Sequence, residues 1–120
     1  MDIREELGFK VAHIGVNCAD EESAKKTADF FNRIFGLPLK EGKSSIFASP
    51  MIEVMKGAGP GRCGHLAIGT NDLEKARKYL EGLGLEFDDQ SVKYDSEGQP
   101  IAIYLKEEIA GFAVHILLQR

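Results

Sequence analysis

The feature that most constrains this chain is a strand-like stretch that comes back. Lys10-Val11-Ala12-His13-Ile14-Gly15-Val16-Asn17 alternates aliphatic and other positions, and Arg62-Cys63-Gly64-His65-Leu66-Ala67-Ile68-Gly69 repeats the arrangement with its histidine 52 residues later. Successive side chains of an extended strand point to opposite faces. Ile14 and Val16 therefore share one face, and His13, Gly15 and Asn17 the other. In the second copy Leu66 and Ile68 oppose His65, Ala67 and Gly69. The same imidazole at the same phase of two repeated strands points to a paired site.

The segments after the two copies are also alike. After the first, Asp20 is placed to cap a helix over Glu21–Phe35, with Ala24, Ala28, Phe31 and Phe35 as its apolar stripe and Gly36 and Pro38 ending it. Short extended pieces come next near Leu37–Lys40, Ser45–Ser49 and Met51–Lys56, parted by turn residues. Gly57-Ala58-Gly59-Pro60-Gly61 reads as a linker. The order then restarts: a strand over about 62–69, and a helix capped by Asn71 or Asp72 with Leu73, Ala76, Leu80 and Leu83 on one face. Strands are expected near Leu85–Phe87, extending through Ser91–Tyr94, then at Ile101–Lys106 and Phe112–Leu118. The chain thus reads β-α-β-β-β twice within a single domain over residues 1–120: module one about 9–56, linker 57–61, module two about 62–119. Residues 1–8 read as a short arm. A chain of 120 residues has room for one domain, or for two small halves packed together.

Several function classes fall away. A net charge of −4 supplies no basic face for nucleic acid. No apolar run is long enough to span a bilayer, and MDIREELGF lacks a signal peptide's apolar core, so no membrane association and a cytoplasmic location are expected. Cys18 and Cys63 are too few for a disulfide scaffold and differ in strand phase, so both are expected reduced. Gly59-Pro60-Gly61-Arg62-Cys63-Gly64 has the G-x-G-x-x-G spacing, but a strand comes after it where a dinucleotide fingerprint needs a helix.

The chain has three histidines, and the third, His115, lies in the last strand of the second half, against Val114 and Ile116. The matching strand of the first half carries Glu53 against Ile52 and Val54. His13, Glu53, His65 and His115 all occupy the phase facing away from the core, on the first or last strand of a half. Singly, each reads as a hydrogen-bonded or solvated residue. Together, three imidazoles and one carboxylate suit a borderline divalent cation and leave open positions on an octahedral one.

These residues carry a resemblance. His13 in VAHIGVN, FNRIFGLPL, Glu53 in IEVMK, His65 in GHLAIGTND and the ending GFAVHILLQ resemble the vicinal oxygen chelate superfamily, which includes glyoxalase I, methylmalonyl-CoA epimerase, extradiol dioxygenases and the fosfomycin- and bleomycin-resistance proteins. More narrowly, GHLAIGTNDLEKA, VKYD and AIYLKEEIAGFAVHILLQ resemble a small glyoxalase-like domain attached to some bacterial ketodeoxyphosphogluconate aldolases. The resemblance implies an α+β fold, with two βαβββ modules forming a curled, cup-shaped mixed sheet and helices outside. It implies one divalent metal ion (zinc, nickel, manganese or iron) on His13, Glu53, His65 and His115, with Glu53 and His115 as catalytic positions. It implies a homodimer as well. Many metal-dependent relatives have glutamate where this chain has His115, and in glyoxalase I that carboxylate is associated with moving the substrate proton.

With Glu53 the sole anion, a divalent ion would leave the shell at about +1, which favours an anionic bidentate ligand such as a 2-keto acid or an enolate. By cavity-facing phase Tyr104 and Ser45 are expected to orient a ligand oxygen, and Arg62 to meet a carboxylate or phosphate. Two functions compete: a metal-dependent lyase or isomerase acting on a small 2-keto or 2-hydroxy carbonyl compound, and a non-catalytic binding or accessory module of the same fold. A metal-free cup is the third alternative.

Overall fold

The structure, a computed structural model, describes residues 2–119. Eight strands form one open, curled sheet: β1 (Lys10–Asn17), β2 (Leu39–Glu41), β3 (Ser45–Ala48), β4 (Ile52–Met55), β5 (Gly64–Thr70), β6 (Phe87–Tyr94), β7 (Pro100–Leu105) and β8 (Phe112–Leu118). Their spatial order is β2-β3-β4-β1-β5-β8-β7-β6. The two first strands, β1 and β5, meet antiparallel at the centre, and each is flanked in parallel by the last strand of its own half, β4 or β8. The four central strands are therefore the ones that carry the three histidines and Glu53. This is the α+β architecture expected from the repeat.

Helices α2 (Glu21–Phe35) and α3 (Leu73–Gly82) cover one face of the sheet. Asp20 accepts from the Ser23 amide at 2.8 Å to cap α2, and Asp72 rather than Asn71 caps α3 through the Lys75 amide at 3.0 Å. Gly36, at φ 72°, closes α2 in the left-handed conformation that glycine tolerates best. Ala24 and Ala28 pack on Ile46 and Val54; Leu73 and Ala76 pack with Phe87, Ile103 and Ile116.

Two features differ from the sequence reading. The outer half of the predicted α2 stripe does not reach the sheet: Phe35 is 63 % exposed, and Phe30, Phe31 and Phe35 stack on one another instead. The 15-residue helix is about 22 Å long, whereas the four-residue strands beneath it span only about 13 Å. The N-terminal arm is also more than a leader. It forms the single turn α1 (Ile3–Glu6), capped by Asp2, and sends Leu7 into the core under α3.

At the linker the glycines permit close backbone approach. A Cβ on Gly64 would lie 1.9 Å from the Gly15 carbonyl oxygen, so the start of β5 could not sit against β1 with any larger residue. The glycine spacing there serves strand packing, with β5 next in the chain. Both cysteines are free. Among the described residues no helix is long and apolar enough to cross a membrane.

A candidate metal centre on the open face

With the helices on one face, the opposite phase of the central strands looks into the cup. Two rows of residues cross it. In one, Glu53, Gly15 and His65 are neighbours across β4, β1 and β5; in the other, His13, Ala67, His115 and Tyr104 are neighbours across β1, β5, β8 and β7. In each row a small residue, Gly15 or Ala67, separates two of the large ones. The rows interchange when the halves are exchanged: His13 with His65, Gly15 with Ala67, Glu53 with His115. Small residues between the large ones leave room for the imidazoles to lean together. The tightest case is Gly15, where a Cβ would lie 2.0 Å from Cε1 of His65.

The side chains converge. Nε2 of His13 and Nε2 of His65 are 3.2 Å apart, and Glu53 Oε1 lies 3.0 Å from His65 Nε2 and 3.4 Å from His13 Nε2. Ligands about 2.1 Å from an ion are separated by about 3.0 Å along an octahedral edge and about 3.4 Å along a tetrahedral one. The triangle has the size of one face of a coordination shell. The His115 ring is 5.3 Å from that of His65 and 5.8 Å from that of His13 between centroids, and one nitrogen from each histidine falls within a mutual 4.8 Å. His65 Nδ1 and both nitrogens of His115 are buried without a hydrogen-bond partner among the described residues. Buried polar atoms are normally paired, and unpaired ones call for an explanation such as an ion. The donor set, the spacing and the orphaned nitrogens all fit a divalent cation.

Electrostatics point the same way. Hydrogen bonds from His13 and His65, with a further one from Ser45, hold the Glu53 carboxyl well below the ordinary carboxylate range against the opposing cost of burial. Burial, reinforced by the neighbouring imidazoles of His65 and His13 and by Lys93, pushes His115 down to about 4. It is therefore neutral at pH 7, the form that donates a lone pair to a metal.

The expected ligand-orienting residues are placed differently from one another. The Tyr104 ring lies 4.6 Å from that of His115, and burial together with the Glu53 charge raises its phenol, so it keeps its proton. Ser45 is buried, and its hydroxyl donates to Glu53 Oε2 at 2.7 Å, which commits it to the carboxylate. Arg62 is exposed, with its guanidinium beside Gly111 at the turn into β8 rather than among the imidazoles. Strand phase already puts Phe47 on the cavity face with Ser45; Gln119 is the residue it missed. Phe47 pairs with Glu53 across β3 and β4 and meets the His13 ring edge-on at 5.6 Å; Gln119 lies beyond His115 at the same phase, with its buried Oε1 unpartnered. Gln119 continues the alternation of β8 one residue past its end, the signal by which it could have been found.

An open, curled eight-stranded sheet with its helices on one face is the architecture of the vicinal oxygen chelate fold. Particular solved structures share it. The hypothetical protein BH1468 of Bacillus halodurans superposes with a TM-score of 0.66 at 16% identity, over 94% of this chain and 96% of that one. Methylmalonyl-CoA epimerase from Mycobacterium tuberculosis gives 0.65 at 13% identity, over 92% and 87%. A Streptomyces coelicolor methylmalonyl-CoA epimerase in complex with 2-nitronate-propionyl-CoA gives 0.62 at 14% identity, over 92% and 94%. At these identities the likeness is one of fold. No protein-family model matches the chain, and no curated protein matches it.

Proposed function

We propose that the protein is a metal-dependent lyase or isomerase that acts on a small 2-keto or 2-hydroxy carbonyl compound. The observation that carries this reading is the convergence of His13, His65 and His115 in one chain, with Glu53 against His13 and His65 and buried imidazole nitrogens left unpaired. A bound divalent ion would supply Lewis-acid polarisation of a chelated oxygen pair. The chain's own residues do the rest. His13, His65 and His115 present their ring nitrogens, and Glu53 the single negative charge, so the assembled site favours an anionic partner. Ser45 holds Oε2 of Glu53 and leaves Oε1 turned toward the imidazoles. Tyr104, protonated and beside His115, would donate to a ligand oxygen. Arg62, beside Gly111, would meet only an anionic substituent that extends past the cluster.

A second reading is favoured by one observation. Glu53 is the carboxylate in the cluster, and its hydrogen bonds make it a weak base, so a binding module without turnover suits the same geometry. The likeness of the second half to glyoxalase-like domains attached to aldolases supports an accessory role of that kind. The exposed aromatic patch of Phe30, Ile34 and Phe35 and the open sheet edges at β2 and β6 support pairing with a second copy. On this reading the chain works as one domain of two modules, in the cytoplasm.

Elemental analysis of tag-free protein tests the first element: about one divalent ion per chain is expected, and His65→Ala should remove it. Folded, fully metal-replete protein is then incubated with 2-keto acids in deuterated water. Exchange of the hydrogen next to the carbonyl supports the enzyme, and tight binding without exchange supports the binding module. Folded protein without metal at any loading overturns the metal-dependent enzyme and leaves the binding module, which stands with or without metal.

A further inference from the structure

The cup does not end at the metal-ligand cluster. From His13 a groove of about 480 Å³ runs along the same face toward β2, between Phe47, Pro38, Leu39 and Pro50, with Lys40 at its rim and Gln119 opposite. Register places it on the face that carries the cluster: Phe47 is the cross-strand partner of Glu53, and Lys40 is the partner of Phe47. Gln119 lies at the same phase as His115, and its side chain folds over Gly69, where a Cβ would be 2.2 Å from Oε1.

The volume belongs to clefts that enclose a whole small molecule, roughly 300–1,000 Å³. A carboxylate-plus-carbonyl head gripping one ion would fill only part of it. What remains has walls of proline, leucine and phenylalanine, so it rewards burial of apolar surface. No carboxylate lines it. Lys40 makes no ion pair among the described residues, and its charge favours entry of an anion along this side.

We infer that the groove selects the substrate's tail, and that the preferred ligand is a 2-oxo or 2-hydroxy acid with an aryl or branched apolar side chain. The head sits at the histidine cluster, and the tail lies over Phe47 toward Leu39 and Pro38. A second carboxylate held between Pro38, Phe47 and Pro50 is disfavoured, because those walls offer it no hydrogen-bond donor and Lys40 stands at the rim. This assignment rests on the proposed metal site and adds the chemical class of the tail.

The test is calorimetric titration of zinc-loaded protein with four probes: oxalate, pyruvate, 2-oxoglutarate and phenylpyruvate. Oxalate has the bidentate head and no tail, so it reports on the metal centre alone. Phenylpyruvate is expected to bind at least about tenfold more tightly than pyruvate, and 2-oxoglutarate no more tightly than pyruvate. Phe47→Ala should bring the phenylpyruvate-to-pyruvate ratio close to one, with oxalate binding reporting that the metal site is still formed. Should that variant fail to fold, Pro50→Gln, at an exposed position that lines the groove, is expected to lower the ratio several-fold. Oxalate binding combined with equal affinities for pyruvate and phenylpyruvate overturns the groove assignment. Failure of oxalate to bind overturns the metal-site reading instead.

Discussion

The imidazole of His65 lies across the Cα of Gly15, the residue directly opposite it on the neighbouring strand. Gly15 also pairs with Glu53 on its other side, so one missing side chain is the space in which two candidate ligands approach each other. Its backbone is ordinary strand, without the positive φ that would itself demand glycine. The requirement is for space. Gly15→Ala should therefore leave the β-strand intact while driving the His65 ring out of place. Overpacking of this kind costs about 1–3 kcal/mol. Metal affinity is expected to fall by more than about tenfold, measured by competition with a chromophoric chelator, while far-ultraviolet circular dichroism stays unchanged.

Ser45 gives a second prediction. Its hydroxyl holds Glu53 Oε2 from the side away from the imidazoles, and groups that hold a ligand from behind typically contribute about 10–100-fold in metal affinity. Ser45→Ala should weaken metal binding by about tenfold, with a loss of stability near 1 kcal/mol from the broken buried hydrogen bond. Ser45→Thr, which keeps the hydroxyl, should recover most of the affinity. A wild-type affinity in the alanine variant would mean that Glu53 needs no such support.

Period and symmetry decide how much of this was legible in the chain. The two-residue alternation around His13, His65 and His115, and around Glu53, puts each on a definite face, and that part needed no tertiary information. The topology adds what alternation cannot supply: β1 and β5 are adjacent, which turns four separate faces into one. Ser45 shares the correct phase, yet phase does not tell a ligand-facing hydroxyl from one already bonded to a carboxylate; only the β3–β4 register decides that. Phe31 and Phe35 obey the helical stripe, but the strands beneath are too short for the helix to use it. Leu7 lies in a segment with no periodicity at all, so its burial left no local trace.

The titration of His115 sets a pH dependence for metal-free protein. Its folded value, about 4, lies below the unfolded value of 6.5, so the unfolded chain binds the extra proton between these limits. Stability of the metal-free form should rise as pH increases from about 4 to 6.5 and then level off. Glu53 acts in the same direction, because a carboxyl depressed in the native state loses its stabilising charge interaction only as pH falls below its unfolded value of 4.5. The His115 contribution has an upper limit of about 3 kcal/mol. Urea denaturation across this range measures it, and His115→Gln should flatten the segment above pH 5, where Glu53 contributes little.

The last prediction separates stability from the site. Leu7 is 1 % exposed and packs with Leu73, Phe87, Ile103 and Ile116 on the helix-covered face, remote from the imidazoles on the other. Its carbonyl accepts from Thr70 Oγ1 at 2.7 Å and from the Asn71 amide at 3.0 Å, and Asn71 Nδ2 donates to the Glu6 carbonyl at 2.9 Å. These bonds tie the arm to the end of β5, so the leucine is held in place and cannot be replaced by a relaxed neighbour. Leu7→Ala should cost about 2–4 kcal/mol, the range for a buried leucine whose surroundings collapse only in part. Because the sheet stands between Leu7 and the cluster, metal affinity of the folded variant should stay within about twofold of the parent. Chemical denaturation and chelator competition on the same samples measure both quantities. A large loss of metal affinity at unchanged stability would show that the arm acts on the cup rather than on the core.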